Sequence, residues 1–291
     1  MTSMLSKFSL AATATTLALG LSVSAANAAL LYKITGKDMA EPSYLYGTIH
    51  LICQSDFNVA DETQAAFAEA DRVIMELDMD DPAMLQSMQA KVLHPEGKKL
   101  SAGLTEAQAE KLDAFFKANM GVGLPAFDGM RPFVVSGMLM SAQLDCGQPA
   151  SFEGYFTQQA MAQQKPVEGL ETVEFQFGVF EQIPHAEQVQ WLADALEDEA
   201  GAKAELQRMI DLYKAEDING LYGMFTEMEE YAEYKEVLLD QRNFAWQEAL
   251  DKELQAEGSE FIAVGAGHLG GKAGMINLLR ESGYTVEPVS K

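Results

Sequence analysis

Two apolar runs near opposite ends of the chain end alike. Tyr44–His50 reads YLYGTIH and Phe261–His268 reads FIAVGAGH. In each, a β-prone stretch breaks at a glycine and delivers a histidine three residues later. One such pattern arises easily by chance. Two copies behind buried-type strands take half of the four histidines. Runs of this kind followed by helix-like sequence point to an α/β fold whose sheet contains parallel pairs.

The rest of the chain extends that reading. Leu30–Ile34 and Tyr44–Ile49 read as adjacent strands joined by a polar turn at Gly36, Lys37 and Asp38. Arg72–Leu77 (RVIMEL) is a further buried strand, Lys165–Glu171 a short one with a polar end, and Phe261–Val264 and Tyr284–Val289 close the set. Between them lie two large helical insertions, at about 81–164 and 185–257. Thr105 with Gln108 three residues on has the form of a capping box, which predicts a helix to about Asn119. Phe133–Leu144 is apolar nearly all round and suits a buried helix. A helix over Lys272–Ser282 stops at Gly283, and the glycines before it would turn free N–H groups toward the strand end. The expected architecture is a central mixed sheet with parallel βα units at both ends of the chain.

Met1–Ala28 reads as a secretory signal, with Lys7, an uncharged run over Ser9–Val23 and Ala26-Asn27-Ala28 at the cut. That leaves 29–291 as a single domain, periplasmic or secreted, with no stable membrane insertion after cleavage. The formal charge of −24 makes nucleic acid and anionic membranes poor partners. The two cysteines, Cys53 and Cys146, are expected to form a disulfide in an oxidising compartment. The rival role for Cys53, a nucleophile three residues after His50, would expose a reactive thiol to oxidation.

Four strand ends carry ionisable side chains: His50, Glu76, Glu171 and His268. Functional groups of open α/β sheets gather outside the carboxyl ends of the strands. Two imidazoles and two carboxylates meeting there would suit a divalent ion such as Mn, Co, Zn or Fe. Taken singly, each has a plain reading as a strand-end polar group or an interior histidine bonded to a loop carbonyl. Arg242 shares a helical stripe with Leu238, Trp246 and Leu250, so its guanidinium needs an anionic partner. The plain reading is snorkelling along the helix or pairing with a structural carboxylate; the functional one has it facing the carboxylate-rich site or a substrate oxyanion. His94 and His185 stand beside prolines and read as surface loop residues.

With these residues assembled, the chain resembles the TraB/GumN family (also TraB/PrgY), which is related to the TIKI metalloproteases. The markers are YLYGTIHL, VIMELDM, KPVEGLET, the QRN triplet around Arg242 and AVGAGHLGGKAGMINLLRESGYTVEPV, spread over the whole chain after the signal. The resemblance implies metal ligands at His50, His268, Glu76 and Glu171, with Glu76 and Arg242 in catalytic roles. Where the family pattern places an aspartate before the helix preceding KPVEGLET, this chain has Glu153, a secondary site candidate.

The resulting expectation is an exported, metal-dependent, peptidase-like hydrolase acting on a peptide or other small extracytoplasmic substrate. The alternative is a non-catalytic binding protein that sequesters a peptide, metal or haem-like ligand.

Overall fold

The computed structural model describes residues 29–290 apart from 229–231. The expected signal segment lies outside the described residues. A six-stranded mixed sheet runs in the order β6-β4-β7-β2-β1-β8. Its strands are β1 (Leu31–Gly36), β2 (Ser43–Thr48), β4 (Arg72–Met75), β6 (Val167–Gly169), β7 (Glu260–Gly265) and β8 (Tyr284–Pro288). The pairs β6–β4, β4–β7 and β7–β2 are parallel, whereas β2–β1 and β1–β8 are antiparallel. The two histidine-tipped strands are therefore immediate neighbours, with Gly47 opposite Val264 and Thr48 opposite Gly265. Every residue of β2 and the first five of β7 are buried, as expected of strands covered on both faces.

Helices cover the sheet. Phe152 and Phe156 of α5 (Phe152–Gln163) pack with Tyr46, Phe67 and Phe261 in one aromatic cluster over the central strands. Trp246 and Leu250 of α10 (Gln241–Glu253) join the same core. The first insertion carries α2 (Pro82–Ala90), α3 (Glu106–Met120) and α4 (Pro132–Gln143). The expected capping box at Thr105 and Gln108 is present with both of its hydrogen bonds. Val135 and Leu139 of α4 meet Val189, Leu192 and Leu196 of α7 (His185–Glu197) in a second core. The strand at 72–77 is followed by α6 (Val173–Glu181) only after the chain has passed through this insertion and β6.

The structure departs from the sequence reading in three places. A two-stranded ribbon, β3 (Ile52–Cys53) with β5 (Pro149–Ala150), was not legible in its four residues. The last helix, α11, spans Met275–Glu281 rather than 272–282. Gly270, Gly271 and Gly274 lie in a tight turn packed on the start of α9 (Ile218–Glu227), where Gly271 N–H donates to Asn219 Oδ1. That amide is therefore spent away from the strand ends. Finally, His94 and His185 are half-buried, their rings 5.0 Å apart, and His185 opens α7. Each ring covers the other, so neither is a freely solvated loop residue.

Cys53 and Cys146 form the expected disulfide, which lies beside the β3–β5 ribbon.

Candidate functional site at the strand ends

Parallel pairing brings the carboxyl ends of β6, β4, β7 and β2 to one edge, and each delivers a polar side chain there. Glu76 follows β4, Glu171 follows β6, His268 follows β7 and His50 follows β2. A five-residue π-helical segment (Glu236–Asp240) leads into α10 and sets Arg242 among them. Such irregular turns recur at functional sites because they re-aim the residues that follow.

Arg242 is the hub. Its Nη2 donates to Glu76 Oε2 and to Glu171 Oε1, both at 2.6 Å. Nε donates to Glu171 Oε2 at 3.1 Å, and Nη1 to His268 Nε2 at 3.1 Å and to the Leu238 carbonyl at 3.4 Å. All five N–H donors are thus engaged. The guanidinium also lies 4.6 Å from the Trp246 ring, whose Nε1–H donates to Glu171 Oε2. Gln176 of α6 donates to Glu171 Oε1 at 3.0 Å. Glu76 Oε1 accepts the backbone N–H of Gly265 at 2.9 Å, tying β4 to the end of β7.

One cation shared by two buried carboxylates leaves a surplus of negative charge. Burial alone would lift the Glu76 carboxyl, but Arg242 and His50 hold it well below the usual carboxylate range. Glu171 moves the other way: its desolvation and the neighbouring Glu76 charge outweigh the guanidinium and raise it.

The two histidines have opposite characters. His268 is buried, with its Nδ1–H on Asn243 Oδ1 at 2.7 Å and its Nε2 accepting from Arg242. Burial and the adjacent guanidinium lower its pKa to about 3, so the ring is neutral. His50 is 63% exposed, and its Nδ1 lies 2.9 Å from Glu153 Oε1. The surrounding protein opposes a charge there. The Glu153 carboxylate and the more distant Glu76 outweigh it and bring His50 to about 9. Glu153 is itself oriented, accepting from the Thr48 hydroxyl at 2.7 Å and the Ser151 hydroxyl at 2.9 Å. His50 is close enough to influence Glu76, and His50 and His268 each respond to Arg242.

All the expected site residues therefore fall at one sheet edge, in two linked groups. Glu76, Glu171, Arg242 and His268 form a closed buried network, and His50 with Glu153 forms an exposed dyad beside it. Sequence reasoning missed Asn243, Trp246, Gln176 and Thr48. The first two stood in plain view, one inside the QRN triplet and one on the Arg242 stripe. Gln176 and Thr48 gave no signal beyond their nearness to Glu171 and His50.

The family described as TraB/PrgY/gumN matches residues 30–288, nearly the whole chain. The chain belongs to the TraB/PrgY/gumN family. Comparison with curated proteins and with solved structures gives no match. For this family member the donor types at the edge suit a divalent ion, but their arrangement does not. Arg242 sits on the His268 nitrogen and on both carboxylates that an ion would need. Among the described residues no group of three or more His, Cys, Asp or Glu side chains is placed to hold a metal.

Proposed function

We propose that this TraB/PrgY/gumN member is an exported, peptidase-like hydrolase in which His50 is the proton-transfer group. The observation that carries the reading is the His50–Glu153 dyad. An imidazole held at Nδ1 by the half-buried Glu153 carboxylate keeps its ring orientation while the ring itself stays 63% exposed. It is the one exposed ionisable group in a cluster otherwise closed on itself.

With its pKa near 9, His50 rests as the imidazolium at neutral pH. It gives its Nε2 proton to the departing amine as water adds to the scissile carbonyl, the proton lost by the water then restoring the imidazolium. Glu153 orients it, Glu76 helps to keep it charged, and the Arg242 network fixes the edge on which both stand. Catalytic contact belongs to His50; Glu76 and Arg242 are positioning residues in the form the structure has.

A second reading keeps a divalent ion at His50, His268, Glu76 and Glu171, and is favoured by the donor types gathered there. It requires Arg242 to withdraw from His268 Nε2. A third is a binder without turnover.

Digestion of a peptide library by the mature protein, with and without chelator, separates the three. Cleavage that resists chelation and falls sharply in His50→Gln supports the proposal. Cleavage that chelator abolishes and stoichiometric metal restores favours the ion. Saturable peptide binding with no product at any metal loading would leave the protein a binder.

A further inference from the structure

A concavity of about 250 Å³ lies among the helices, between the 94–98 loop, the start of α4 and the α6–α7 junction. None of its lining residues belongs to the strand-end cluster. Gln188 stands in its wall, 6% exposed. The amide Nε2 donates to the Phe180 carbonyl at 2.8 Å and the Ile183 carbonyl at 2.9 Å, which fixes which way the group points. Its Oε1 is buried without a hydrogen-bond partner among the described residues, and so is His185 Nε2 beside it. An unpaired buried acceptor costs roughly 1–3 kcal/mol, but both atoms are closed off from the concavity, so contacts to a ligand must come from the charged side chains of its wall.

The charges in the wall come as couples. Lys98 pairs with Glu96 at 2.7 Å, and the buried Arg131 pairs with Glu181 while its Nε donates to the Lys91 carbonyl at 2.7 Å. Two cations and two carboxylates favour neither a simple anion nor a simple cation. A molecule carrying both charges matches them. In the same lining, Phe133 and Phe180 stack with centroids 4.4 Å apart and supply an apolar surface.

We infer that this cavity binds a zwitterionic α-amino acid with an apolar side chain. The carboxylate faces Arg131 and Lys98, the ammonium faces Glu181 and Glu96, and the side chain lies against Phe133 and Phe180. The volume sets the size. Ligand pockets usually run from roughly 300 to 1,000 Å³, so one of about 250 Å³ holds a single residue rather than a longer peptide.

The chain has four histidines, which makes imidazole NMR a direct readout. Mature protein is titrated with L-phenylalanine, with phenylalaninamide, which lacks the carboxylate, and with 3-phenylpropanoate, which lacks the ammonium. The His94 and His185 resonances should move saturably with the amino acid. Each single-charge analogue should bind at least about tenfold more weakly, about 1.4 kcal/mol. Lys98→Ala, a half-exposed position, should weaken phenylalanine binding several-fold without lowering the melting temperature. Three results overturn the assignment: no shift at millimolar L-phenylalanine or L-leucine, shifts at His50 and His268 instead, or equal affinity for either single-charge analogue. All three are independent of whether the strand-end site hydrolyses peptides.

Discussion

A guanidinium with every donor spent inside the protein is hard to replace. Arg242 grips Glu171 through two of its nitrogens and reaches Glu76 and His268 with the rest of the same plane. Lysine keeps the charge but offers one point donor where a flat fork is required. Arg242→Lys should therefore lower the melting temperature clearly. Arg242→Ala, which leaves two buried carboxylates facing each other, should cost about 3–5 kcal/mol by denaturant titration. An Arg242→Lys protein that melts like wild type would show that the network contributes little. At the neighbouring dyad, Glu153→Gln keeps the shape and removes the charge that holds His50 protonated. The His50 titration, followed by NMR, should fall from about 9 toward the ordinary 6.5. If it stays near 9, Glu76 rather than Glu153 sets that proton.

The register of neighbouring strands explains why glycine precedes each histidine. A Cβ on Gly47 would lie 3.1 Å from the Ala266 backbone and 2.8 Å from a Leu269 methyl, both on the turn that presents His268. A Cβ on Gly265 would press on Glu76 Oε1 at 3.3 Å. The first motif thus leaves room for the second, and the second leaves room for Glu76. Gly47→Ala should cost about 1–3 kcal/mol through overpacking, measurable as a lower urea midpoint at unchanged slope. The strands and most helices were legible because long buried runs and period-3.6 stripes report burial directly. The four-residue β3–β5 ribbon was not, since its pairing depends on a partner nearly a hundred positions away. Arg242 was legible as buried from its stripe with Leu238, Trp246 and Leu250, all of which are buried. Whether its partner is a structural carboxylate or the strand-end site was not legible, because the stripe reports burial and not what lies across from it. The contact between His94 and His185 was illegible because tertiary packing of a loop against the start of α7 makes it.

Across the whole molecule, the two motif histidines bend stability in opposite directions with pH. His268 has a folded pKa near 3 against an ordinary 6.5, so the unfolded chain binds a proton that the native one refuses. Stability therefore falls as pH drops from 6.5 toward 3, and the depressed Glu76 carboxyl adds to that acid loss. His50 has its folded pKa raised to about 9, so its contribution is complete below 6.5 and is lost as pH climbs toward 9. The melting temperature should pass through a maximum near pH 6.5. His50→Gln should flatten the alkaline side and change the acid side only through the smaller part that His50 plays in holding Glu76 ionised. A profile that keeps rising to pH 9 would assign His50 an ordinary pKa. The cross-link acts at this scale too, closing a loop with a sequence separation of 93 residues, worth about 2–4 kcal/mol.

That cross-link also has a location. Cys53 follows His50 by three residues, and Cys146 precedes Glu153 by seven, so the two halves of the dyad hang from the two ends of one covalent bond. The Arg242 network has no such tether and is held by its own hydrogen bonds and packing. A chain folded before the bridge closes would possess its sheet, its core and its buried charges, yet lack the clamp that brings His50 against Glu153. If the proposed activity and export hold, the bond is a clock as well as a staple: it would separate the moment the protein is folded from the moment it is competent, and would tie competence to an oxidising place.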